Sequence, residues 1–108
     1  MDSIFNKLEK ILEERKSASS DQSYVSSLYS KGTSSILDKI SEESEEVINA
    51  VNEEGRKEVI QEVADLWFHT LVLLSHLEEP PSAVLAELER RLGVSGLLEK
   101  ASRGNQND

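Results

Sequence analysis

Residues 62–74 read EVADLWFHTLVLL, the most apolar stretch of the chain, and Asp65 and His69 lie inside it. An ionised carboxylate taken out of water needs an ion pair, hydrogen bonds or a metal ion. The apolar run is only about a dozen residues long and carries these two polar groups, so it cannot span a bilayer. It belongs in the middle of a packed helical structure, and whatever satisfies Asp65 must be built into that packing.

The flanking pattern is helical throughout, and an all-α fold is expected. Ile4, Phe5, Leu8, Ile11 and Leu12 recur at spacings of three and four, one apolar face of a helix over 2–16. Small polar residues at 17–22 predict a loop, followed by a short helix over 23–29 that Lys31-Gly32 ends. A third helix is predicted over 34–53, with Thr33 or Ser34 as cap, and Gly55 separates it from a fourth over 56–77. Pro80-Pro81 marks a turn, and Pro81 suits the first turn of a fifth helix over 82–92. No run of alternating β-branched residues competes with this reading. At 108 residues the chain is expected to form one domain over 1–103, with 104–108 as a flexible tail.

Charge narrows the function. There are 21 acidic and 12 basic residues, a formal net charge of −9. Nucleic-acid binding, which needs basic patches to displace counterions, is not expected, and neither is a membrane role. A nucleotide substrate stays compatible, because Mg2+ bridges carboxylates to phosphates. The absence of cysteine removes disulfides, thiolate zinc sites and cysteine nucleophiles, and fits a reducing, cytoplasmic location. The N-terminus, MDSIFNKLEKILEERK, mixes charged with apolar residues and does not read as a signal peptide.

A helical wheel shows where the acids point. On the third helix Ile36, Leu37, Ile40, Val47, Ile48 and Val51 form the apolar face, and Lys39, Glu42, Glu43 and Glu46 form a stripe beside it. The fourth helix is apolar on most sides, through Val59, Val63, Leu66, Trp67, Leu71, Leu73, Leu74 and Leu77, which predicts a central, buried element. In so short a chain that also predicts a core shared with a second copy, a homodimer. One polar arc remains on it: Glu58, Glu62, Asp65, His69 and His76.

If these two helices form an antiparallel hairpin around Gly55, Glu43-x-x-Glu46 opposes Glu62-x-x-Asp65. Four carboxylates brought together repel unless a cation is present. Oxygen ligands alone favour a hard ion, Mg2+ or Mn2+, over zinc or copper. Asp65 is therefore expected to be a metal ligand, with His69 supporting the site or the substrate. Plainer readings compete. Asp65 can instead be bonded to a neighbouring Lys or Tyr, and a lone His69 is more often a satisfied core histidine than a ligand. Glu42, Glu45, Glu53 and Glu54 taken alone read as a solvated face, and Glu58 as ordinary acidity at a helix start.

The run Glu42-Glu43-x-x-Glu46, followed after fifteen residues by Glu62-x-x-Asp65, resembles the E-E-x-x-E…E-x-x-D signature of MazG-like all-α nucleotide pyrophosphohydrolases. The stretches SYVSSLYSKG, ILDKISEESEEVINA, EVADLWFHTLVLL, VLAELERR and GLLEKASR resemble, within that superfamily, the phosphoribosyl-ATP pyrophosphatase family, from about residue 8 to 103. The resemblance implies Mg2+-dependent hydrolysis of phosphoribosyl-ATP to phosphoribosyl-AMP and pyrophosphate, the second step of L-histidine biosynthesis, in a dimeric helical bundle. Glu43, Glu46, Glu62 and Asp65 match the family's metal-binding positions, with Glu42 as a further acidic member. Ser23-Tyr24 and Lys31-Gly32 match its early motif, and Lys39 a lysine just before the acidic motif. Ser95, Gly96, Glu99, Lys100, Ser102 and Arg103 match its C-terminal motif. The resemblance thus implies Lys31, Lys39, Ser95, Lys100 and Arg103, with His69, as substrate-binding residues. Ser41 and Ser44-Glu45 depart from the family's commoner small residues without removing a ligand. A cyclohydrolase for the next intermediate, which uses cysteine zinc ligands, is not on this chain, so docking to a separate one is a further expectation.

Alternatives remain at this stage. A MazG-like house-cleaning pyrophosphatase for (deoxy)nucleoside triphosphates would share the acidic core but not the flanking stretches. A di-iron bundle needs paired Glu-x-x-His motifs, which His69, four residues from Asp65, does not supply. A non-enzymatic interaction domain leaves Asp65 unexplained. Within the favoured reading, Glu43 or Glu46 is the candidate base toward water.

Overall fold

Apolar periodicity of three and four translates into five helices. The computed structural model describes residues 2–19, 21 and 23–93. These form α1 (Asp2–Arg15), α2 (Tyr24–Lys31), α3 (Thr33–Glu53), α4 (Arg56–His76) and α5 (Ser82–Gly93), with no strand among the described residues. Every expected helix is present, with ends within two residues of the expected ones. Residues 95, 100 and 103 of the C-terminal motif, and the tail 104–108, lie outside the described residues.

The starts of the helices explain the small differences. Ser23 caps α2, its Oγ accepting the Ser26 N–H at 3.2 Å, so that helix begins where expected. α3 begins one residue early and without the expected hydroxyl cap: Gly32 is its N-cap and also the C-cap of α2. One residue therefore turns the chain from helix to helix, at φ 97° and ψ −178°. That backbone region is essentially confined to glycine. At the next turn Glu58, read from the sequence as ordinary acidity at a helix start, accepts the Gly55 N–H at 3.2 Å. Pro81 is buried just before α5, and the first N–H of that helix, on Ser82, donates to Glu9 of α1 at 2.7 Å.

α3 and α4, joined by Glu54-Gly55, pack on each other more extensively than any other pair. The core lies toward one end of this hairpin. Phe5 and Leu12 of α1, Val25 and Leu28 of α2, Ile36 of α3, and Leu71 and Val72 of α4 form it. Tyr29 pins three helices, its hydroxyl donating to the Leu12 carbonyl at 3.1 Å and lying 3.0 Å from Ser75 Oγ. His76 stacks on the Tyr29 ring at 5.7 Å, a structural role.

Beyond that core the hairpin is less covered. Ala50 is fully buried between the helices, but Val51 and Ile60 are 63% and 69% exposed. Trp67 is 55% exposed, so α4 is not buried on all sides within a single chain as its composition suggests. Its core contacts occupy one side, and Ile60 and Trp67, seven residues apart, share another. No described helix is long and apolar enough to cross a membrane.

The Gly32 turn carries a quantitative expectation. A Cβ there would meet nothing within 4 Å, so the whole effect of Gly32→Ala is conformational. The substitution is expected to lower unfolding stability by roughly 1–3 kcal/mol. Urea unfolding should show a lower midpoint at unchanged slope.

Candidate active site

The hairpin sets acids against acids. Glu43 and Glu46 lie one turn apart on α3, and Glu62 and Asp65 are likewise spaced on α4. Carboxylate oxygens of Glu43, Glu62 and Asp65 all come within 4.8 Å of one another. Glu43 is only 6% exposed, Glu62 half-buried, and Asp65 open to solvent. Oε1 of Glu43 and Oε1 of Glu62 are buried with no hydrogen-bond partner. A buried acceptor without a donor is costly, and two of them converging on one point fit a cation in place of the missing donors. Their chemistry, hard oxygen only, fits Mg2+ or Mn2+.

The electrostatics agree with the geometry. Desolvation pushes the Glu43 carboxyl up, helped by the charges of Glu46 and Asp65 and opposed by His69 and Lys39. Glu62 is pushed up to about 6, first by desolvation, then by Glu46 beside it, then by Asp65 and Glu43. Both acids therefore sit where negative charge is disfavoured unless something positive is brought in.

Around the trio the expected residues divide. Glu46 stands exposed beside Glu62. Glu42, next in sequence to Glu43, turns outward and accepts from Lys39 at 3.0 Å; that bond raises the Lys39 pKa. Lys39 is thus held at the rim, within electrostatic reach of Glu43. Lys31 is exposed at the end of α2 and makes no ion pair among the described residues. Ser95, Lys100 and Arg103 are outside the described residues.

His69 is buried on the same side of α4 and fully engaged. Its Nδ1 donates to the Asp65 carbonyl, one turn back, at 2.8 Å. A carbonyl can only accept, so Nδ1 carries the proton and Nε2 accepts. The donor is the Tyr24 hydroxyl, at 2.7 Å. Burial and the nearby Glu43, Glu42 and Asp65 charges raise the Tyr24 pKa against the lowering effect of Lys39, so the phenol keeps its proton. Asp65 itself takes no Lys or Tyr partner among the described hydrogen bonds and ion pairs. Tyr24 is the participant that residue patterns did not single out, because it reaches the site from α2, forty-five residues away in sequence. Its place in the SYVSSLYSKG stretch was the only signal.

An all-helical hairpin with opposed Glu-x-x-Glu and Glu-x-x-Asp pairs defines the class: an all-α, MazG-like bundle. The chain belongs, more narrowly, to the phosphoribosyl-ATP pyrophosphohydrolase family, whose sequence model matches residues 5–92. It is similar to a protein named phosphoribosyl-ATP pyrophosphatase from Vesicomyosocius okutanii subsp. Calyptogena okutanii (strain HA), 59% identical over 97% of this chain and all of that protein. It is also similar to one of the same name from Ruthia magnifica subsp. Calyptogena magnifica, 57% identical over the same shares.

The crowding of acids predicts a titration. In the chelator-treated chain the Glu62 carboxyl should titrate near 6, and Glu46→Gln should bring it back toward 4.5 by removing a neighbouring charge. Side-chain carboxyl NMR reads both. The linkage sign follows: with its folded pKa raised, Glu62 contributes stability that is full below pH 4.5 and lost as pH rises through about 6.

Proposed function

We propose that this chain hydrolyses phosphoribosyl-ATP to phosphoribosyl-AMP and pyrophosphate, with Mg2+ held by Glu43, Glu62 and Asp65. The observation that carries the reading is the convergence of those three carboxylates within 4.8 Å, two of them presenting buried, unpartnered oxygens. Membership of the family and the likeness to two proteins named phosphoribosyl-ATP pyrophosphatase support the substrate. Family membership supports, as part of the same proposal, a role in L-histidine biosynthesis and a cytoplasmic location.

Bound at the trio, Mg2+ supplies positive charge against the triphosphate and the leaving pyrophosphate. The chain's own residues do the rest by position. Glu43, Glu62 and Asp65 hold the ion from two rigid helices. Glu46 is the base: it stands exposed beside Glu62, outside the trio, where it can take a proton from the attacking water. The new bond joins that water's oxygen to the α-phosphorus, and the α–β bridge oxygen leaves with pyrophosphate. Lys39, already at the rim, would offset charge on the phosphates, as would Lys31, Lys100 and Arg103, the last two assigned by the family resemblance alone. Glu42 positions Lys39 rather than holding the ion.

We also infer a homodimer. Ile60 and Trp67 on α4 and Ile48 and Val51 on α3 are more than half exposed. An apolar groove of about 300 Å³ runs from Phe5 past Trp67 and Leu71 to Val84, Leu85 and Leu88. A second copy is the partner we infer to cover these exposed apolar residues. Docking to a separate cyclohydrolase would use surface outside this face.

The direct test incubates purified protein with phosphoribosyl-ATP, with and without Mg2+, and measures pyrophosphate, with dUTP and dCTP in parallel. Mg2+-dependent release from phosphoribosyl-ATP alone is expected. Release from a deoxynucleotide instead would assign a house-cleaning activity. Asp65→Asn should reduce release to background with the helical circular dichroism unchanged; near-normal turnover would remove Asp65 from the site. For the dimer, sedimentation should give twice the 12.1 kDa chain mass. Ile60→Glu should shift it to the monomer, because a charge in an apolar interface goes unpaired.

A further inference from the structure

α2 is tied down at its start. Ser23 caps it, and the Ser26 hydroxyl donates to the Arg15 carbonyl at the end of α1 at 2.6 Å. From this fixed point Tyr24, the first residue of the helix, crosses to α4 and donates to His69 Nε2 at 2.7 Å, the two rings edge-on at 5.7 Å. His69 is buried, and its other nitrogen is bonded to the carbonyl of Asp65, the residue whose carboxylate joins the trio. The phenol also lies among the charges of Lys39, Glu42, Glu43 and Asp65.

A protonated phenol beside carboxylates would ordinarily donate to one of them, because charge-assisted hydrogen bonds are the stronger ones. Here the hydroxyl meets the His69 ring instead. The Asp65 carbonyl causes this: by occupying Nδ1–H, it leaves Nε2 as an acceptor aimed at α2. The carboxylate oxygens are therefore left unshared.

We propose that Tyr24 is a positioning residue of this site, acting through His69 to hold the start of α2 against the Asp65 turn of α4 and to keep its own hydroxyl proton off the carboxylates. The proposal rests on the reading of Glu43, Glu62 and Asp65 as a divalent-cation site. Groups behind a metal ligand typically change metal affinity or activity by about 10- to 100-fold when altered.

The test measures Mn2+ binding to the full chain by electron paramagnetic resonance, with thermal unfolding alongside and kcat and KM for phosphoribosyl-ATP. Tyr24→Phe keeps the ring and removes the donor. It is expected to weaken Mn2+ binding roughly 10-fold and to lower kcat, with KM and the unfolding midpoint close to wild type. His69→Leu, which removes the acceptor, should weaken Mn2+ binding similarly. His69→Gln, whose amide oxygen can stand where Nε2 stood, should keep most of the affinity. A purely structural contact would move the midpoint and leave Mn2+ affinity alone. Unchanged affinity in Tyr24→Phe, or equal affinity in the Leu and Gln variants, overturns the proposal while wild-type binding upholds the metal site. Absence of Mn2+ binding in the wild type overturns the metal reading and this proposal with it.

Discussion

Like charges gathered between two helices set the terms for the rest of this molecule. Glu43, Glu62 and Asp65 present oxygens within 4.8 Å of one another, and Glu46 adds a fourth charge beside them. Nothing in the pairwise energetics favours this: desolvation and mutual repulsion both raise the carboxyl pKa values. The arrangement persists because the α3–α4 contact, with Ala50 fully buried near its Gly55 end, brings the two backbones together whether or not the acids agree. A site built on paired helices holds its geometry better than one built on loops. The same rigidity makes the strain useful, since a cation arriving at the trio relieves repulsion that the fold has already absorbed.

α4 divides its circumference among three tasks. One side, with Leu71 and Val72, closes the core against α1, α2 and α3. The arc with Glu62, Asp65 and His69 faces the site. The side with Ile60 and Trp67 is left uncovered in one chain. An apolar residue on this helix therefore does not say which task it serves. That explains why α4 is less covered in the single chain than its composition suggests. The composition of α4 suggested burial all round; the structure shows burial on one side and an unpartnered apolar face on another.

Most of the fold was legible because it follows from local chemistry. Apolar spacing placed five helices, Gly55 and the prolines placed the breaks, and an antiparallel hairpin of the third and fourth helices set Glu43 and Glu46 opposite Glu62 and Asp65. Two kinds of information were missing. One is a single step of rotation: Glu42 and Glu43 are neighbours in one acidic motif, yet one turns out to Lys39 and the other turns in to the trio. A stripe on a wheel is too coarse to separate them until the partner helix is present. The other is contact at long range. His69 was visible as a polar residue in an apolar stretch, but its partner, Tyr24, lies on a separate helix, and no periodicity links the two. The cap of α3 failed for a related reason. Thr33 and Ser34 are good capping residues, but α2 ends so close that only Gly32 remained to make the turn.

The position of the acids along the hairpin links stability to function. α1 and α2 support α3 and α4 only around the core, and toward Gly55 the two helices rely mainly on each other. Glu46 and Glu62 sit where that outside support gives way. Free energies of local opening are lowest where buried apolar contacts are few, and here the least supported segment is also the one whose charges repel. An ion bound at the trio would stabilise the closed hairpin by RT ln(1 + c/Kd), where c is the free ion concentration.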